Sequence, residues 1–86
     1  MADYRLQIVT PERVVFDENV TSIIAPGEAG YLGVLARHAP LLTTLAEGKL
    51  TVRRGEQVSE YRVSRGFLEV YHNVATLLVD SIEPTA

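Results

Sequence analysis

The sequence predicts an all-β domain, and three observations predict it. Short runs rich in β-branched and aromatic residues recur every eight to twelve positions or so, with Gly, Pro, Asn and Asp between them. Within the runs, apolar and polar residues alternate with the period of a strand. No window sustains a helix of more than about two turns, because a Gly, a Pro or a β-branched run interrupts each candidate.

The first strand is Tyr4-Arg5-Leu6-Gln7-Ile8-Val9-Thr10, alternating cleanly and stopped by Pro11-Glu12. Val14-Val15-Phe16 follows, closed by Asp17-Glu18-Asn19. Val20-Thr21-Ser22-Ile23-Ile24-Ala25 comes next, closed by Pro26-Gly27. A glycine-rich stretch from Gly27 to Leu35 then leads to Leu41-Leu42-Thr43-Thr44-Leu45, and Leu41–Glu47 is the weakest of the strands. Gly48 opens Lys49-Leu50-Thr51-Val52-Arg53, and Gly55-Glu56 turns it into Val58–Val63 as a hairpin. Gly66 breaks the pattern before Phe67-Leu68-Glu69-Val70-Tyr71, and His72-Asn73 turns the chain into Val74–Val79. Eight or nine strands follow from this reading. Pro84-Thr85-Ala86 reads as a chain end.

Composition narrows the function. The chain has 86 residues, 47% of them apolar and 22% charged, which is ordinary for a globular domain. At this size folding removes about 60% of the exposable surface, so the core is modest. The absence of cysteine removes disulfides, thiolate metal sites and a cysteine nucleophile. No apolar run is long enough to span a membrane, and the first residues carry neither a signal-peptide core nor an Arg/Ser-rich transit pattern. The net charge of −3 argues against nucleic acid as a partner. Five of the eight basic residues (Lys49, Arg53, Arg54, Arg62 and Arg65) nevertheless fall in one segment, opposed there only by Glu56 and Glu60. A solvated hairpin explains that excess; a surface meeting an acidic partner is the sharper reading.

No constellation supports catalysis. His38 and His72 are the only histidines, no Gly-x-Ser-x-Gly elbow exists, and two separated histidines make a poor metal set. Gly27, Gly30 and Gly33 match neither phosphate-loop pattern, and no helix follows them. They read instead as tight-loop glycines between strands. The unusual region is the centre, where Tyr31-Leu32-Gly33-Val34-Leu35 and Pro40-Leu41-Leu42 flank Ala36-Arg37-His38. These residues either fill the core or leave an apolar docking face in a loop-rich stretch.

Four blocks, in order and nearly correctly spaced, carry a family resemblance across residues 4–80. They are Leu6-Gln7-Ile8-Val9-Thr10-Pro11-Glu12 with Val14-Val15-Phe16; Pro26 to Leu35; His38-Ala39-Pro40-Leu41-Leu42-Thr43-Thr44-Leu45 closed by Gly48; and Gly66–Val70 with Val74–Asp80. Together they resemble the N-terminal β-sandwich domain of the epsilon subunit of rotary F-type ATP synthase. The resemblance implies one domain over residues 1–86, a flattened β-sandwich of about ten mostly antiparallel strands in two sheets. It implies a non-catalytic rotor subunit between the gamma subunit and the c-subunit ring, coupling proton flow to ATP synthesis. It places the chain peripherally at the cytoplasmic face of the bacterial inner membrane, without direct membrane insertion.

By the same resemblance, His38, Pro40, Leu41, Leu42 and Thr43 face gamma, and Gly30, Tyr31, Leu32 and Gly33 face the c ring. No cofactor and no ATP binding are expected: typical members continue into two helices, which bind ATP in some bacteria, and this sequence stops at Ala86. Two positions depart from the family pattern. Ala36-Arg37 stands where Pro-Gly usually precedes the histidine, and Tyr31 stands where a glutamate is common. The rival reading is a free-standing β-sandwich that binds a small ligand; such modules usually show exposed tryptophans, and this chain has none.

Overall fold

The computed structural model describes residues 2–85; Met1 and Ala86, the ends of the expected domain, lie outside the described residues. Ten strands follow in order: β1 (Tyr4–Val9), β2 (Val14–Val20), β3 (Ser22–Gly27), β4 (Gly30–Leu35), β5 (Leu41–Leu45), β6 (Gly48–Arg54), β7 (Gln57–Val63), β8 (Gly66–Tyr71), β9 (Val74–Val79) and β10 (Ile82–Pro84). There is no helix among the described residues.

Hydrogen bonding runs β10-β7-β6-β3-β5-β8-β9-β1-β2, with β4 on β3. Every pair is antiparallel except β1 with β9, whose parallel register sets Leu6 beside Ala75 and Ile8 beside Leu77. The step from β3 to β5 is a single residue pair, Gly27 with Leu45. Five strands therefore lie on each side of that corner, and the two halves fold over one another. Two contacts mark the closure. The Tyr4 hydroxyl of β1 donates to the Val34 carbonyl oxygen of β4 at 2.8 Å. Arg54 of β6 bonds Glu18 of β2 while its guanidinium stands 5.9 Å from the centre of the Phe16 ring.

Period-two alternation fills the space between the halves. Tyr4, Leu6 and Ile8 of β1 meet Leu68 and Val70 of β8, Ala75, Leu77 and Val79 of β9, and Leu45. Ile23, Ala25, Val34, Leu50, Val52 and Val63 supply the opposing layer. Leu6, Ile8, Leu50, Leu68 and Leu77 are fully buried, and each such side chain stabilises the fold by roughly 1.5–3 kcal/mol.

Three features differ from the sequence reading. Asp17-Glu18-Asn19 is not a turn; β2 runs through it to Val20. β2 is an edge strand, where charged side chains are tolerated and deter pairing with other chains. Asp17 is held there by Arg5 at 2.5 Å. The hydrogen bond to Arg5 and its charge keep the Asp17 carboxyl below the usual aspartate range. The second difference is a tenth strand, Ile82–Pro84, paired with Val63–Tyr61 where the sequence reading saw only a chain end. It is three residues long, too short for a period to show. Third, Pro26 and Gly27 belong to β3 rather than closing it.

Three of the five basic residues between 49 and 65 are engaged in ion pairs. Lys49 pairs with Glu60 at 3.6 Å, Arg62 with Glu47 at 3.4 Å, and Arg54 with Glu18. The solvated-hairpin reading accounts for the first two, whereas Arg54 reaches across to β2.

Candidate docking surfaces

Strand register aligns an apolar row across the outer face of one half. Thr44 pairs with Phe67, Phe67 with Leu78, Leu78 with Val9, and Val9 with Val14. Phe67 is 50% exposed, Leu78 47% and Val14 53%. One row further on, Leu42 is 72% exposed, the highest value among the large apolar residues. Scattered apolar residues are normal at a surface; this row is contiguous across four strands, which makes it a candidate contact face. Part of the row, Val9, Phe67 and Leu78, lines an open groove of about 620 Å³ together with Glu28, Leu45, Arg65 and Asp80.

The expected gamma-facing residues divide between two environments. Leu42 points outward with this row. Leu41 and Thr43 are half-buried, paired with the core residues Val70 and Leu68, and so point the other way. Pro40 is exposed just before β5, and His38 is half-buried in the turn. The His38 Nδ1–H donates to the Ala39 carbonyl at 2.7 Å, and the His38 backbone N–H donates to Leu35 at 3.3 Å.

Ahead of His38, Arg37 adopts φ +64°, a left-handed conformation that favours glycine. The Arg37 backbone N–H donates to Asn73 Oδ1 at 2.7 Å. Asn73 also donates through Nδ2 to the Asp3 carbonyl at 3.2 Å, and its own carbonyl accepts the Arg5 N–H at 3.3 Å. His72 and Asn73, at φ +49° and +61°, form the tight β8–β9 turn read from the sequence.

The second expected set lies at the opposite end. Gly27 pairs with Gly30 and with Leu45, whereas the His38 turn leaves β4 at Leu35, beyond the pair with Ser22. Gly30, at φ +133°, closes the turn between β3 and β4. Tyr31 is 61% exposed, and its hydroxyl accepts the Lys49 N–H at 3.4 Å across β3. Leu32 packs against the core. Gly33 is exposed in the body of β4, not in a tight loop, and a Cβ there would meet only the Ile23 carbonyl oxygen at 3.9 Å.

Sequence reasoning missed Phe67, Leu78 and Val14, although a signal existed. In Phe67-Leu68, Leu77-Leu78-Val79 and Leu41-Leu42 successive residues are apolar, and only alternate residues of a strand face the same core. Among the described residues no group of three or more His, Asp or Glu is placed to hold a metal ion.

The family described as ATP synthase, Delta/Epsilon chain, beta-sandwich domain matches residues 3–85. The ATP synthase epsilon chain of Moorella thermoacetica is 50% identical over 84 residues, covering 96% of this chain and 63% of that protein. That of Desulforamulus reducens is 47% identical over 79 residues, covering 92% and 60%. The chain thus spans about three fifths of the length of these relatives. Among solved structures, a chain of the Euglena gracilis mitochondrial ATP synthase OSCP/F1/c-ring assembly superposes with a TM-score of 0.91 at 28% identity. The match covers 98% of this chain and 54% of that one.

Proposed function

Since the chain belongs to the delta/epsilon β-sandwich family of ATP synthase, we propose that it is a non-catalytic subunit of the synthase rotor, joining gamma to the c ring. The observation that carries this reading is the exposed row through Phe67, Leu78, Val9 and Val14, with Leu42 beside it. Burying such a row against a partner removes apolar surface from water at about 25 cal/mol per Å². Gamma docks on this face, with the His38–Pro40 turn at its border. The c-ring loops meet the Gly30–Gly33 end, where Tyr31 offers a flat, uncharged contact. Two separate contacts on one rigid sandwich let the subunit couple proton flow to ATP synthesis performed elsewhere. No helix among the described residues is long and apolar enough to cross a membrane, and the proposed place is peripheral, on the cytoplasmic side.

Because the sequence holds no cysteine, single substitutions place one photoreactive cross-linker at a time. In the assembled synthase Phe67→Cys and His38→Cys are expected to capture gamma, and Tyr31→Cys the c subunit. Exchange of those partners, or labelling by neither, overturns the assignment of faces.

A further inference from the structure

We infer that Asn73, in the β8–β9 turn, is the positioning residue that holds the Ala36–Pro40 turn in its docking shape; this rests on the gamma-docking reading above. Asn73 lies far from Arg37 in sequence, yet its side chain satisfies the Arg37 N–H at 2.7 Å. Arg37 sits at φ +64°, where a side chain with a Cβ is strained. The strain at Arg37 disfavours this turn, and beside the turn's own His38 N–H bond to the Leu35 carbonyl at 3.3 Å, the Asn73 acceptor from elsewhere in the chain helps to hold it. Asn73 can do so because it is itself fixed three ways. The tight turn sets its backbone at φ +61°, its Nδ2 donates to Asp3 at 3.2 Å, and its carbonyl accepts the Arg5 N–H at 3.3 Å. The turn that leads into His38 and Pro40 is thus tied to the first strand and to the β8–β9 hairpin, rather than free.

A docking segment held in its bound shape loses less conformational freedom on binding than a mobile one. Asn73 acts on the partner through this preorganisation. Glycine at 37 removes the need for it, since glycine takes the left-handed conformation without strain. The bracket and an arginine at 37 are therefore two halves of one device.

The test uses the full chain and the gamma-containing head of the synthase. Asn73→Gly keeps the positive φ of the hairpin turn but removes both side-chain bonds. Its affinity for the head is expected to fall about tenfold, in line with a lost preorganising hydrogen bond. Hydrogen exchange at the Arg37 amide should accelerate, while amides of the buried Leu6 and Leu77 stay protected. Adding Arg37→Gly to Asn73→Gly should restore the affinity to within about twofold, a rescue that general destabilisation does not produce. Unchanged exchange at Arg37, unchanged affinity of Asn73→Gly, or failure of the rescue each overturns the inference. If the unsubstituted chain does not bind the head at all, the gamma reading falls, and the docking role of Asn73 with it.

Discussion

Gly66 lies so close to β9 that a Cβ built on it would stand 2.0 Å from the carbonyl oxygen of Leu78 and 3.0 Å from the Val79 α-carbon. No rotamer relieves this contact, because both partners are backbone. Gly66 pairs with Leu45 on one side and Val79 on the other, so any shift disturbs two ladders. Gly66→Ala is expected to destabilise the domain by about 3 kcal/mol, at the upper end of ordinary overpacking, and Gly66→Val by at least as much. A urea titration reads the change as a lower midpoint; an unchanged midpoint refutes it.

The Tyr4 phenol is buried, and its bond to Val34 spans the two halves. Burial raises its pKa well above the ordinary tyrosine value of about 10, because the anion is poorly solvated there. A raised folded-state pKa means that the folded protein keeps a proton the unfolded chain releases. This contribution is fully present below pH ~10 and is lost as pH rises beyond it. Stability should therefore fall steeply above about pH 10. In Tyr4→Phe that alkaline fall should be weaker, at a cost near neutrality of about 0.5–1.5 kcal/mol for the lost hydrogen bond to Val34. Equal alkaline profiles for the two proteins contradict this account.

Arg37→Gly alone should stabilise the isolated domain. A left-handed residue with a side chain costs roughly 1–2 kcal/mol, and the greater freedom of glycine in the unfolded chain offsets about half of that. A net gain of about 0.5–1 kcal/mol corresponds to a rise in Tm of roughly 3–6 °C for a domain of this size. A lower Tm shows instead that the arginine side chain makes a favourable contribution outweighing its backbone strain.

The outer face offers a contrast between two exposed apolar positions. Phe67→Asp introduces a charge at the centre of the proposed gamma surface, whereas Val58→Asp does so on β7, in the other half. Both residues are about half exposed, so both variants should fold with little change in Tm. Binding to the gamma-containing head should weaken more than tenfold for Phe67→Asp and change less than twofold for Val58→Asp. Similar losses for the two place the contact elsewhere.

Much of this architecture was legible because strands announce themselves by alternation and turns by their residues. Tyr4–Val9, Val58–Val63 and Val74–Val79 were found nearly whole, as were the turns at Gly55-Glu56 and His72-Asn73. The misses have physical causes. The Asp17-Glu18-Asn19 segment has turn-like chemistry, but on an edge strand those side chains reach solvent or partners such as Arg5 and Arg54. Ile82–Pro84 is held by pairing with β7, which is distant in sequence. In the candidate docking face the central apolar stretch pointed to Leu42, which is exposed, but strand parity turns Leu41 and Thr43 to the core side. The tie between Asn73 and Arg37 left no local trace, since its partners lie 36 residues apart.

The corner at Gly27 and Leu45 has a mechanical consequence. Tyr31 belongs to one half of the folded sheet and Phe67 to the other. Apart from the loops that carry the chain between them, the ladders of the two halves meet only around that pair. A twisting load applied between the two proposed contacts therefore passes chiefly in shear through interlocked side chains. Close-packed interiors transmit such strain because their side chains interdigitate. In the proposed rotor role, the stiffness of the domain depends on how tightly Leu6, Leu50, Leu68 and Leu77 interlock.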